Sequence, residues 1–159
     1  MNAKIDNLIK YFVGLFHEND SKGTNFSRMV NKKTVDINEN EFKKNIMQFS
    51  WVSPVDIMIM SINSIEKIKK QTNLKDCNKF TILWIMCLLS AKCVSSHDHE
   101  SKMSIEFLAN LGGFQLDDYI YFEKVLLQKL DWQLEISDSD YKRLSDISDK
   151  NSKSIPVAR

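Results

Sequence analysis

The 159-residue chain is 43% hydrophobic and 27% charged, with only four glycines and two prolines, a composition that fits one domain built from long helices. Twenty-two basic residues against twenty-one acidic ones leave a net charge of +1, which gives no electrostatic reason to expect nucleic acid or an anionic membrane surface as partner. The longest apolar run, Ile82 to Leu89, is too short to span a bilayer, and Lys4, Asp6 and Lys10 interrupt any signal-peptide pattern, so the expected compartment is cytoplasm or nucleus.

In chain order, Ile5, Leu8, Ile9, Phe12 and Phe16 recur at helical spacing and predict an amphipathic helix over residues 2 to 16 whose stripe docks on its own domain or beside a partner. Residues 17 to 37 are polar and read as a linker or extended wrap, so residues 1–38 form an N-terminal helix plus linker. Asn38 and Glu41 have capping-box spacing, and Phe42, Ile46 and Phe49 then share one face of a helix over 39 to 49. Ser53-Pro54-Val55-Asp56 opens a second helix running to about Lys70, with Val55, Met58, Ile62 and Ile65 on its apolar side.

The stretch from Cys77 to Leu134 carries the functional question. Residues 80 to 94 are apolar on every side and predict a central helix, capped by Asp76 or Asn78 and ending in Lys92. Cys77, Cys87 and Cys93 are odd in number and lie on or beside that helix, the pattern of free thiols rather than disulfides. The loop Ser95 to Ser101 holds His97 and His99 beside acids, with Cys93 nearby. No second spaced ligand pair accompanies it, so an exposed loop is favoured over a metal site and no metal or cofactor is expected. Residues 102 to 111 give a fourth helix stopped by Gly112-Gly113, and Asp117 and Asp118 open a fifth over 116 to 130. Glu123 rides the apolar side of that fifth helix between Tyr119 and Leu127. A charge on an apolar face needs a partner, so Lys92 and Glu123 either pair with each other or reach across an interface. Trp132, Leu134 and Ile136 then alternate with polar residues in extended form, and 138–159 form a polar extension ending in a disordered tail.

Five consecutive helices with an apolar third member, a lysine at its end, Gly112-Gly113 before the fifth, and Glu123 followed by Leu126, Leu127, Leu130, Trp132 and Leu134 resemble the cyclin box. The similarity covers residues 39–137 and is nearest to the short P- or U-type cyclins that resemble the phosphate-regulon cyclins. It implies an all-α, single five-helix cyclin-box domain with an additional N-terminal helix. It also implies that Lys92, Cys93, Glu123, Leu127 and Leu134 lie at or near a kinase-facing surface, with Trp132 close by. For Leu127, Leu134 and Trp132 the alternative is packing in the core.

The chain departs from the family in having Lys79 where arginine is common, serines after Lys92 where an acid is usual, and Ile105 where asparagine is expected. The helix over 39 to 48 also lacks the Met-Arg-x-x-Leu docking pattern of mitotic cyclins. The resemblance implies a non-enzymatic regulatory subunit, monomeric until it binds and activates a cyclin-dependent serine/threonine protein kinase. No Gly-rich phosphate loop, catalytic-loop motif or nucleophile constellation competes with it. A cyclin-like scaffold or decoy, and a nucleic-acid-binding version of the fold, are the alternatives.

Overall fold

In the computed structural model the described residues are 2–17, 24–25, 37–49, 52–73, 78–94 and 106–150. Their regular structure is helical apart from a two-residue parallel pairing of β1 (Thr24–Asn25) with β2 (Thr72–Asn73). Seven helices follow in order: α1 (Ala3–His17), α2 (Glu39–Ile46), α3 (Pro54–Lys69), α4 (Lys79–Val94), α5 over 106–111, α6 (Leu116–Lys129) and α7 (Asp138–Asp149). No helix among the described residues is long and apolar enough to cross a membrane.

The caps form where the local sequence places them. Asn38 accepts from the Glu41 amide at 2.8 Å while the Glu41 carboxylate accepts from the Asn38 amide at 3.1 Å, a complete capping box. Ser53 caps α3 with Pro54 inside its first turn, and Asn78 caps α4, accepting from the Thr81 amide at 2.9 Å, while Asp76 lies outside the described residues.

Helix α4 is buried from Phe80 through Ala91, and α2, α3 and α6 pack around it. A file of aromatic rings ties its first half to its neighbours. Phe80 meets Phe12 of α1 at 5.9 Å and Phe42 of α2 at 5.7 Å, and Trp84 meets Phe42 edge-on at 6.0 Å and Phe49 at 5.7 Å. Among the described residues of the expected stripe of α1, Ile5, Leu8, Ile9 and Phe12 are buried, so this helix docks on its own domain. Helix α3 is buried on more sides than its Val55-to-Ile65 stripe predicts, Ile57 and Ile59 included, because it packs on α4 and also on α1 and α7.

The Gly112-Gly113 stop is a Schellman cap. The Phe114 amide donates to Ala109 O at 3.0 Å, the Gly113 amide to Asn110 O at 2.9 Å, and Gly113 sits at φ 85°. Gly112 is required for a different reason. The Trp84 indole donates to Leu108 O at 3.0 Å and lies directly under Gly112, where an added Cβ would come within 2.3 Å of Trp84 Cδ1. Gly112→Ala is therefore expected to lower stability by about 1–3 kcal/mol through overpacking against a fully buried ring. Urea unfolding checks this, and an unchanged midpoint would mean that α5 moves freely away from α4.

Within the expected polar extension, residues 138–149 form helix α7, capped by Ser137 through the Asp140 amide at 3.1 Å. Leu144 is buried, and α7 runs antiparallel to α1, as Lys4–Asp149, Asn7–Ser148 and Tyr11–Arg143 contacts show. The histidine loop 95–101, Cys77, most of the 17–37 linker and the tail 151–159 lie outside the described residues.

Candidate functional site

The two charges singled out by the sequence come together. Lys92 Nζ donates to both carboxylate oxygens of Glu123, at 3.1 and 3.0 Å, linking the last turn of α4 to the middle of α6. Glu123 Oε2 also accepts from the hydroxyl of Tyr119, one turn earlier on α6, at 2.9 Å. The two ends of the pair sit in different environments: the Glu123 side chain is 10% exposed and the Lys92 side chain 47%. The carboxylate is therefore anchored inside while the ammonium lies at the surface. An ammonium has three N–H groups, and the carboxylate engages at most two of them.

Apolar residues lie on the same two helices as this pair. On α6 the residues Ile120, Glu123 and Leu127 recur at i, i+3 and i+7, so they share one side of the helix. Ile120 is 48% exposed, and Leu127 is half-buried with its inner side against the core. Leu134, on the extended segment after α6, is likewise half-buried against the core. Val94 and Cys93 are exposed at the end of α4. The Cys93 thiol is raised by desolvation and by the Glu123 carboxylate, with Lys92 opposing. Of the five residues of the predicted surface, Lys92 and Cys93 lie on α4, Glu123 and Leu127 on α6, and Leu134 on the non-helical segment that follows α6.

Trp132 is not core. It is 62% exposed, and it follows a second Schellman cap in which its amide donates to Leu127 O at 2.9 Å and the Asp131 amide to Gln128 O at 3.1 Å. Asp131 and Trp132 both take positive φ, 54° and 61°, a conformation that costs a non-glycine residue about 1–3 kcal/mol. The motif brings the Trp132 backbone beside that of Leu127, at the end of the helix whose middle holds Glu123. Sequence reading missed Ile120 and Tyr119 as parts of this site. Both were detectable, because each sits one turn before Glu123 on the same helix.

The arrangement combines an anchored carboxylate with a surface ammonium, and α6 carries Ile120 and Leu127 on the same side as the carboxylate. Among the described residues no three His, Cys, Asp or Glu side chains gather as a metal would require. The Lys79 ammonium lies 5.9 Å from the centre of the Phe80 ring at the opposite end of α4.

Two buried groups near the site make stability fall at high pH. Burial pushes the Cys87 thiol of α4 up to about 12, and burial together with Glu123 holds the Tyr119 hydroxyl well above its ordinary range. Both groups are neutral when protonated, and the folded chain keeps these protons at pH values where the unfolded chain releases them. The stabilisation is complete below about pH 9, and for Cys87 it is lost as pH climbs from 9 toward 12. Melting temperature followed across that window should fall, and Cys87→Ala should flatten part of the slope. A flat profile in the wild-type chain would contradict the burial of both groups.

Compared with models of protein families, with curated proteins and with solved structures, the chain finds no match.

Proposed function

We propose that this chain is a cyclin-type regulatory subunit that binds and activates a cyclin-dependent serine/threonine kinase and performs no chemistry of its own. The observation that carries this reading is the Lys92–Glu123 pair, with its carboxylate held inside, its ammonium at the surface and an apolar rim on α6. On this reading α2 to α6 are the five helices of a cyclin box, α1 is the additional N-terminal helix, and α7 is an appended element. The order of helices, the lysine that closes the buried α4 and the glycine pair before α6 support it.

The mechanism follows from two-state energetics. A kinase whose regulatory helix swings outward cannot form the ion pair between that helix's glutamate and its ATP-binding lysine. A partner that binds only the inward state shifts the population by its differential affinity, and moving from 1:99 to 99:1 takes about 5.5 kcal/mol. Lys92 and Glu123 would supply directional hydrogen bonds to the backbone of that helix, while Ile120, Leu127, Trp132 and Leu134 would supply the apolar area.

The test is capture of a cyclin-dependent kinase from lysate by the full chain, followed by a protein kinase assay with and without it. Capture with activation supports the reading. Capture without activation would make the chain a scaffold or decoy, and failure to capture any such kinase would remove the proposal. A net charge of +1 weighs against a nucleic-acid partner.

A further inference from the structure

We infer that α7 is a polar clasp that detaches from α1 and α3 as a unit while the rest of the helical domain stays folded. Its hold on the domain is mostly hydrophilic. Only Leu144 and Ser148 are fully buried along its length, with Ile147 partly buried against the core, whereas α4 buries every residue from Phe80 to Ala91.

The ties are specific side-chain bonds instead. Arg143 grips Glu66 of α3 with both arms of its guanidinium, at 2.7 and 3.2 Å, and its Nη1 also donates to the hydroxyl of Tyr11 on α1 at 3.1 Å. Tyr11 in turn donates to Glu66. One residue of α7 thereby locks three helices. Half a turn earlier Tyr141 donates to Asp56 at 2.6 Å, and at the C-terminal end Lys4 of α1 pairs with Asp149 at 3.2 Å with both side chains more than half exposed. Exposed pairs of this kind hold weakly.

Two further features make detachment easy. An open surface cleft of about 550 Å³ lies beside α7 where it meets the N-terminal ends of α1 and α3, lined by Ala3, Lys4, Asp56, Tyr141, Ser145 and Ser148, so solvent reaches this flank of the helix. The helix also ends in Asp146 and Asp149, with no basic residue in its last turn, which sets negative charge against the negative pole of the dipole. Few buried apolar contacts and exposed bonds are the physical signature of a segment that opens ahead of its domain.

Opening would uncover the Glu66 and Asp56 carboxylates together with the slot that Leu144 fills. It would leave the opposite machinery alone, since α7 packs on α1 and α3 whereas the Lys92–Glu123 pair joins α4 to α6. The clasp stands independently of the kinase reading.

Native-state hydrogen exchange on the full chain tests the inference. Amides from Tyr141 to Ser148 should be protected at least ~100-fold less than those from Leu83 to Leu89 and show a smaller dependence on urea, as sub-global opening requires. Arg143→Ala should speed exchange in α7 a further ~10-fold or more and leave α4 within about 2-fold, because the lock is local. Arg143→Lys, which keeps the charge but not the fork, should fall between the two. Equal protection and equal urea dependence in α7 and α4 would overturn the inference. An Arg143→Ala effect of the same size on both helices, or wild-type exchange in Arg143→Ala, would do so as well.

Discussion

Replacing Glu123 by alanine should weaken association with the proposed kinase partner by about 2–5 kcal/mol, the range expected when one partner of a desolvated, hydrogen-bonded pair is truncated. Lys92→Ala should do the same. Their effects on folding should differ, because the two residues are anchored differently. Glu123 accepts from Tyr119, whose side chain is almost fully buried, so its loss strands that hydroxyl and should lower stability by about 1–3 kcal/mol. The Lys92 side chain is 47% exposed, and losing its half of the bridge should lower stability by about 1 kcal/mol or less after allowance for solvent screening. Tyr119→Phe in the Glu123→Ala background should recover part of the folding loss and none of the binding loss, which separates the stranded hydroxyl from the interface. Thermal melts and kinase titrations on the same four proteins give both readouts. Wild-type kinase activation by both folded single variants would remove this pair from the interface.

The features that were legible in the sequence are the local ones. A capping box needs only Asn38 and Glu41, a Schellman stop only a glycine at the right step, and a helix buried on all sides only an unbroken apolar run such as Ile82 to Leu89. Pairing of Lys92 with Glu123 was legible only as one of two alternatives, because two isolated charges on apolar faces are satisfied either by each other or across an interface.

What was hidden depends on contacts distant in sequence. Helix α7 carries a legible cap, Ser137 with Asp140, but it fully buries only Leu144 and Ser148, so its composition looks like that of a solvated tail. It folds there because Glu66, Tyr11 and Asp56 are waiting on α3 and α1, and no window of sequence contains all of them. The second buried side of α3 was hidden for the same reason. Trp132 was hidden by backbone geometry. A tryptophan in an apolar alternation reads as core, yet two successive residues at positive φ turn it out to solvent.

Leu127→Asp should abolish kinase association, a loss of more than about 3 kcal/mol, while leaving the domain folded. Leu127 is half-buried, so the substitution forfeits part of one leucine's burial, about 1–2 kcal/mol, and places a second carboxylate one turn from Glu123 for a few tenths more. The backbone cap is untouched, since Leu127 contributes its carbonyl to the Trp132 amide whatever its side chain. At an interface the balance differs. An aspartate there must either stay hydrated, which holds the apolar surfaces apart, or be buried without a cation, which costs several kcal/mol. It also offers Lys92 a competing carboxylate on the same side of α6 and draws the ammonium from its partner. Leu127→Ala is the companion that removes contact area without adding charge, and it should weaken binding by about 1–2 kcal/mol. Near-wild-type affinity in Leu127→Asp, with the fold intact by circular dichroism, would place this stripe outside the kinase contact and leave α6 as a solvent-facing helix.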